Sequence, residues 1–194
     1  LNNKYGKQDP EHRKKWYIKS ITKALEYAKP LNIKPIIVEN NGKRETYLDM
    51  FSSNADIVYT NNNDIPTENK AQNELLDIKQ IIAQYNIQDD DLIIKLTGRY
   101  TLLCNVFFLL VSSRQFDAYI KFFNVCSYQI CKNDCLLGLY AIKAKYLKEF
   151  QYTFKKSPEV EFATYVRQKI QRIREIQHLM LYYCLAENFN EILV

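Results

Sequence analysis

Asp91–Tyr100 reads DLIIKLTGRY. Leu92, Ile93, Ile94 and Leu96 form a short apolar run behind a polar start, Asp89-Asp90-Asp91, and the run reads as a strand. Thr97-Gly98-Arg99-Tyr100 closes it in a turn rich in hydrogen-bonding groups. Gly98 lets backbone approach a ligand closely. Arg99 presents a planar donor fork suited to phosphate or carboxylate.

Two earlier runs end the same way. Pro35-Ile36-Ile37-Val38 runs into Glu39-Asn40-Asn41-Gly42, and Ala55–Thr60 (ADIVYT) runs into Asn61-Asn62. Helical patterns separate them. After a polar leading loop, Leu1–Pro10, the triplet Asp9-Pro10-Glu11 is a helix start, with an acidic cap, Pro at the first position and a carboxylate near the positive end. Trp16, Tyr17, Ile21, Leu25 and Ala28 continue an amphipathic helix to Lys29, stopped by Pro30. Tyr47–Ser52 reads as a short helix, and Asn69–Tyr85 as a second amphipathic one. Strands alternating with helices predict an α/β fold: a mostly parallel, Rossmann-like open sheet flanked by helices. Right-handed crossovers then gather the strand ends on one edge, where ligands bind.

The second half is less regular. Apolar stretches at Leu102–Val111, Ala118–Val125 and Leu136–Ile142 alternate with polar breaks. Ser157-Pro158-Glu159-Val160-Glu161 opens a helix expected to run to about Ile173, and a last apolar segment covers Ile176–Leu185. No internal repeat or low-complexity linker interrupts the chain, so residues 1–194 read as one domain with halves of about 1–100 and 101–194.

Composition agrees with a folded domain. The 194 residues are 47% hydrophobic, 25% charged and 13% aromatic, which excludes disorder as the dominant state. The net charge of +5 accompanies a bias to Lys, Asn, Ile and Tyr of the kind an AT-rich genome produces, so no nucleic-acid partner is expected from charge alone. No apolar run approaches membrane-spanning length. Cys104, Cys126, Cys131, Cys135 and Cys184 form no CxxC pair, and neither His lies near them in sequence. They read as reduced thiols in a reducing, cytoplasmic compartment, with no protein metal site.

DLIIKLTGRY resembles the strand-plus-TGRY motif of small glycosyltransferase-like proteins found in large DNA viruses and bacterial surface-glycan loci. Arg13–Ile21 (RKKWYIKSI), Ile36–Gly42 (IIVENNG), Leu136–Phe150 (LLGLYAIKAKYLKEF) and Ser157–Val166 (SPEVEFATYV) fit the same pattern in order. The resemblance implies a GT-A fold whose nucleotide-binding half precedes an acceptor half. It also implies a first strand just upstream of Leu1–Asp9 that is missing from this chain. The implied activity is hexosyl or pentosyl transfer from a nucleotide-diphosphate sugar to a glycan or glycoprotein acceptor, in the host cytoplasm for a viral protein. By the same resemblance Glu39 and Asn40 hold the nucleoside, Lys70 and Asn73 contact the diphosphate, and Thr97, Gly98 and Arg99 stand where many relatives carry a metal-binding DxD.

Here that place reads TGR. Asp89 and Asp91 do form a DxD, but before the strand, where it reads as a solvated turn. Arg99 therefore stands in for a divalent Mn or Mg ion, or the ion is held elsewhere, and metal dependence stays open. An inverting transfer needs a carboxylate base near the acceptor hydroxyl. Glu161, Asp134 and Glu159 are the candidates, Glu161 preferred over Glu159. The alternative reading is a non-catalytic basic module for nucleic acid or a protein partner, resting on runs such as Arg13-Lys14-Lys15.

Overall fold

The structure is a computed structural model that describes residues 10–67, 69–122, 133–184 and 191–194. In chain order its elements are α1 (Pro10–Ala28), β1 (Ile36–Glu39), β2 (Asp56–Tyr59), α2 (Lys70–Gln84), β3 (Leu92–Leu96), β4 (Thr101–Leu102), α3 (Val106–Ser112), β5 (Ala118–Ile120), β6 (Leu139–Lys143), α4 (Ala144–Glu149), α5 (Pro158–Lys169), β7 (Ile173–Glu175), β8 (Leu181–Cys184) and β9 (Glu191–Leu193). The expected leading loop, Leu1–Asp9, the strand expected before it, and Cys126 and Cys131 lie outside the described residues. No helix among the described residues is long and apolar enough to cross a membrane.

The α/β class is as the sequence implies, but the pairing is mixed. β1–β2 and β5–β7 are parallel, whereas β3–β6, β5–β6, β4–β8 and β8–β9 are antiparallel. β3, read as a parallel neighbour of the strands before it, instead pairs along its whole length with β6, from Leu92↔Lys143 to Leu96↔Leu139. Alternation of helices and strands favours parallel crossovers, but this partner arrives more than forty residues later from the irregular half of the chain.

The chain forms two compact units interleaved in sequence. The first takes Leu1–Asn61, Thr97–Ser112 and His178–Val194, and the second takes Asn62–Leu96 and Ser113–Gln177. In the first, α1 lays Ile21 against Leu48 and Phe51, with Tyr17, Leu25, Ile37 and Ile57 around them. Leu48 and Phe51 come from a 3-10 turn, Tyr47–Phe51, held by a capping box in which Thr46 and Asp49 satisfy each other's backbone N–H. A buried hydroxyl pair, Ser20 and Thr101 at 2.7 Å, fastens α1 to β4, and Tyr27 donates to the Leu103 carbonyl at 3.0 Å. β4 continues into the antiparallel set β4-β8-β9.

The second unit is the sheet β3-β6-β5-β7 with α2, α4 and α5. Phe162, Ala163 and Val166 recur at helical spacing on α5 and are buried to 1% or less, with the Phe162 ring 4.9 Å from Tyr140 and 5.1 Å from Phe150. Ser157 caps α5, accepting from the Val160 N–H at 3.4 Å. The helix stops at Lys169, shorter than expected, and Ile170 turns extended (φ −112°, ψ 126°) so that Ile173–Glu175 can join β5 as a strand.

Candidate functional site

β1 and β2 are parallel, so their carboxyl ends share one edge. There Glu39 ends β1 with its carboxylate turned into the following loop. Its Oε1 accepts from the Asn41 N–H at 3.2 Å, from the Asn41 side-chain amide, and from the Arg44 guanidinium at 3.2 Å. Asn40 Oδ1 takes a longer contact, 3.5 Å, from the same Asn41 amide. Gly42 closes the loop with φ +79° and donates its N–H to the Thr60 carbonyl at 2.8 Å. A side chain there would sit 2.9 Å from Asn61 Oδ1, so both space and backbone demand glycine.

α1 brings a second set of groups to the same unit. Arg13 donates to the Tyr17 hydroxyl at 3.4 Å and lies 5.6 Å over its ring, and Lys14 lies 6.0 Å over the Tyr47 ring. Burial pushes the Tyr47 phenol up to about 12; Tyr17 and Glu39 add to the rise, and Arg13 and Arg44 oppose it. Tyr47 therefore feels the fields of all four groups. Tyr47 stays neutral at physiological pH and can donate a hydrogen bond.

The TGRY turn packs on this cluster from the other side of Tyr17. A Cβ on Gly98 would stand 3.0 and 3.1 Å from Tyr17 Cδ1 and Cε1, so glycine at this position makes room for that ring. The Thr97 carbonyl accepts from the Tyr100 N–H at 2.9 Å, which makes the turn. Arg99 lies 5.3 Å over the Tyr100 ring, and Tyr100 is buried against Tyr183 at 4.5 Å.

The remaining expected site residues belong to the second unit. Lys70 opens α2 and is exposed, behind an Asn69 cap that accepts from the Ala71 N–H at 3.0 Å. Asn73 is buried, and its Oδ1 accepts from the Thr67 hydroxyl at 2.7 Å; it holds the entry to α2. Asp134 is buried beside Cys135, whose thiol donates to the Glu159 carbonyl at 3.3 Å. Burial alone would raise the Glu161 carboxyl, but bonds from the Thr153 hydroxyl and N–H, both 2.7 Å, and the Lys156 N–H at 3.1 Å hold it below the usual carboxylate range. Its oxygens are engaged in shaping the 153–156 loop. The Glu159 carboxylate makes no hydrogen bond among the described residues.

No group of three or more His, Cys, Asp or Glu side chains among the described residues is arranged to hold a metal. The literal DxD does not fit one: Asp89 pairs with Lys148 at 2.5 Å, Asp91 accepts from the Gln88 N–H at 3.0 Å, and Asp90 between them takes Lys143 and Lys145. Lys95, unmarked in the sequence, pairs with Glu74 at 2.7 Å and donates to the Leu137 carbonyl at 2.6 Å beside Tyr140 and Tyr152. The cavity there is only about 10 Å³, room for one water and not for a ligand.

Glu39, Asn40 and Arg99 are marked in the sequence as site residues and Arg13 only as part of a basic run, whereas Tyr17, Arg44 and Tyr47 are not marked. One signal was available. The chain holds 20 Lys and only seven Arg, and three of the seven are Arg13, Arg44 and Arg99. Where lysine is the default cation, an arginine marks a place that uses the planar fork.

No protein-family profile matches the chain, and no curated protein matches it. Among solved structures, A197 from STIV is similar with a TM-score of 0.44 and 12% identity, over 81% of this chain and 91% of that one. HddC from Yersinia pseudotuberculosis is similar with a TM-score of 0.46 and 14% identity, over 82% of this chain and 74% of that one. The same protein complexed with GMP-PN aligns with a TM-score of 0.46 and 13% identity, over 89% and 79%. Likeness of this grade leaves the family open.

Proposed function

We propose that the chain is a nucleotide-sugar-dependent glycosyltransferase of GT-A type whose donor binds at the carboxyl edge of β1 and β2. The observation that carries this reading is the set Arg13, Tyr17, Glu39, Arg44 and Tyr47, gathered from three elements at one strand edge. Each member has a chemical use there. Glu39 and Asn40 offer acceptors to ribose hydroxyls or base N–H groups. Tyr17 and Tyr47 offer ring faces to a base. Arg13, Arg44 and Arg99 supply fixed positive charge for a diphosphate leaving group, which a DxD-bound ion supplies in other transferases.

Among the carboxylates of the second unit we propose Glu159 ahead of Glu161 as one free to act as a base, with no placement relative to the β1 edge. Glu161 is acidified and spent on its loop, whereas Glu159 is half-buried in the first turn of α5 with its carboxylate still available. Asp134 is the second candidate.

A second reading, a binding domain without catalysis, is favoured by the engagement of Glu161 and of the whole Asp89–Asp91 turn. Calorimetric titration with UDP, GDP and ADP and their sugars, followed by donor-hydrolysis assays, separates the two. Binding with hydrolysis supports transfer. Binding without hydrolysis supports the second reading, and absence of binding removes the nucleotide site.

A further inference from the structure

Two sets of cations in the second unit contrast with each other, apart from Lys155 and Lys156, which are exposed without an ion pair among the described residues in the loop before α5. Lys95, Lys143, Lys145 and Lys148 each meet a carboxylate. Arg114, Arg167, Lys169, Arg172 and Arg174 are exposed, and among the described residues none forms an ion pair. Four of these lie in residues 167–174, RQKIQRIR, which contains no carboxylate.

The backbone sets them in a strip along one edge. β7 is the outer strand of β3-β6-β5-β7, with Arg174 in register with Tyr119 of β5. The Arg172 carbonyl accepts from the Asp117 N–H at 2.8 Å, and its guanidinium donates to the Gln115 carbonyl, next to Arg114. Arg167 and Lys169 lie in the last turn of α5, and the Arg167 guanidinium lies 4.1 Å over the Phe122 ring. A ring under one face of a guanidinium leaves its N–H edges free for oxygen acceptors. Complementing the negative end of α5 accounts for Arg167 and Lys169 alone. It does not reach Arg172 and Arg174 on β7, or Arg114 before β5. These four arginines complete the chain's seven, so every arginine lies either here or in the β1 unit.

We infer that this strip docks the phosphodiester backbone of a nucleic acid. Net charge gave no reason to expect such a partner; a local row of guanidinium groups without carboxylate partners among the described residues does. A lipid surface shares the phosphate chemistry but calls for apolar side chains beside the cations. The exposed large hydrophobic among the described residues of this unit is Ile65, in the loop before α2 and off the strip. Glu175, at the end of β7, is the acidic side chain on the strip, and it interacts with Lys121.

The test is fluorescence anisotropy of the full chain with a labelled single-stranded oligonucleotide, titrated with salt. Wild type is compared with Lys169→Glu/Arg174→Glu and with Lys145→Glu/Lys148→Glu, which changes net charge equally off the strip. The strip variant is expected to bind at least about tenfold more weakly and to flatten the log–log salt slope by about 1.4, two phosphate contacts on a single strand. The other variant is expected to stay close to wild type. If the strip variant fails to fold by circular dichroism, Lys169→Gln/Arg174→Gln replaces it with the same expectation. No saturable binding at about 50 mM salt, equal loss in both variants, or tighter binding to phosphatidylserine vesicles than to the oligonucleotide overturns the inference.

Discussion

Two charged strand ends in this molecule look alike in sequence and behave differently in structure. At the start of β3 each carboxylate of Asp89-Asp90-Asp91 is satisfied within the fold, by Lys148, by Lys143 and Lys145, and by the Gln88 N–H. At the end of β1 one carboxylate, Glu39, faces Arg44 across the loop, while Arg13 and Lys14 lie over tyrosine rings. The first arrangement is closed and holds a turn together. The second has cations in excess and two aromatic faces, which is what a nucleoside diphosphate needs. A run of charges is a site only where the fold leaves its charge uncompensated.

The largest expected effect lies in the scaffold of the second unit. Phe162→Ala removes a ring packed on Tyr140 and Phe150, and should cost about 3–5 kcal/mol in chemical denaturation. Nucleotide affinity of the β1 edge, measured where the variant is still folded, should not change. A parallel loss of affinity would break the distinction between scaffold and site.

Arg44→Ala should be the reverse. It removes the charge-assisted bond to Glu39 and the diphosphate contact proposed for Arg44, an expected effect of about 1.5–3 kcal/mol on nucleotide affinity by calorimetry, with a smaller change in melting temperature. Gly98→Ala should come next. The added Cβ meets the Tyr17 ring at 3.0 Å, so the ring must shift, at about 1–3 kcal/mol of stability with weakened nucleotide binding.

Glu161→Gln gives the smallest and most diagnostic effect. The native carboxyl is held below its ordinary 4.5, so the stability it contributes is present above that pH and is lost as pH falls through the lower folded value. The variant should therefore melt earlier than wild type at neutral pH, and the gap should narrow progressively as pH falls below 4.5. A gap that persists or widens in acid would show that the carboxylate does not fasten the 153–156 loop.

Local signals were legible and distant ones were not. β3 is found at Leu92–Leu96 as read, and Asn69 and Ser157 cap the helices that follow them. The helix opened at Ser157 is expected to reach about Ile173 but ends at Lys169, because Ile173–Glu175 pairs with β5 instead. The apolar stretch Leu136–Ile142 was legible, but nothing local marked it as the antiparallel partner of β3. In the site, Glu39 was legible because it ends a strand. Arg13 and Arg44 were not, since only the packing of α1 beside β1 brings residues 31 positions apart into one field.

The central claim is that the β1 edge binds a nucleoside diphosphate through Tyr17 and Tyr47. Tyrosine-selective carbon-13 NMR during titration with UDP, GDP and ADP tests it most directly. Saturable shifts at Tyr17 and Tyr47 with one of them, abolished in Arg44→Ala, are the predicted result. Shifts confined to Tyr140, Tyr152 and Tyr165 of the second unit, or none at any tyrosine, would contradict it.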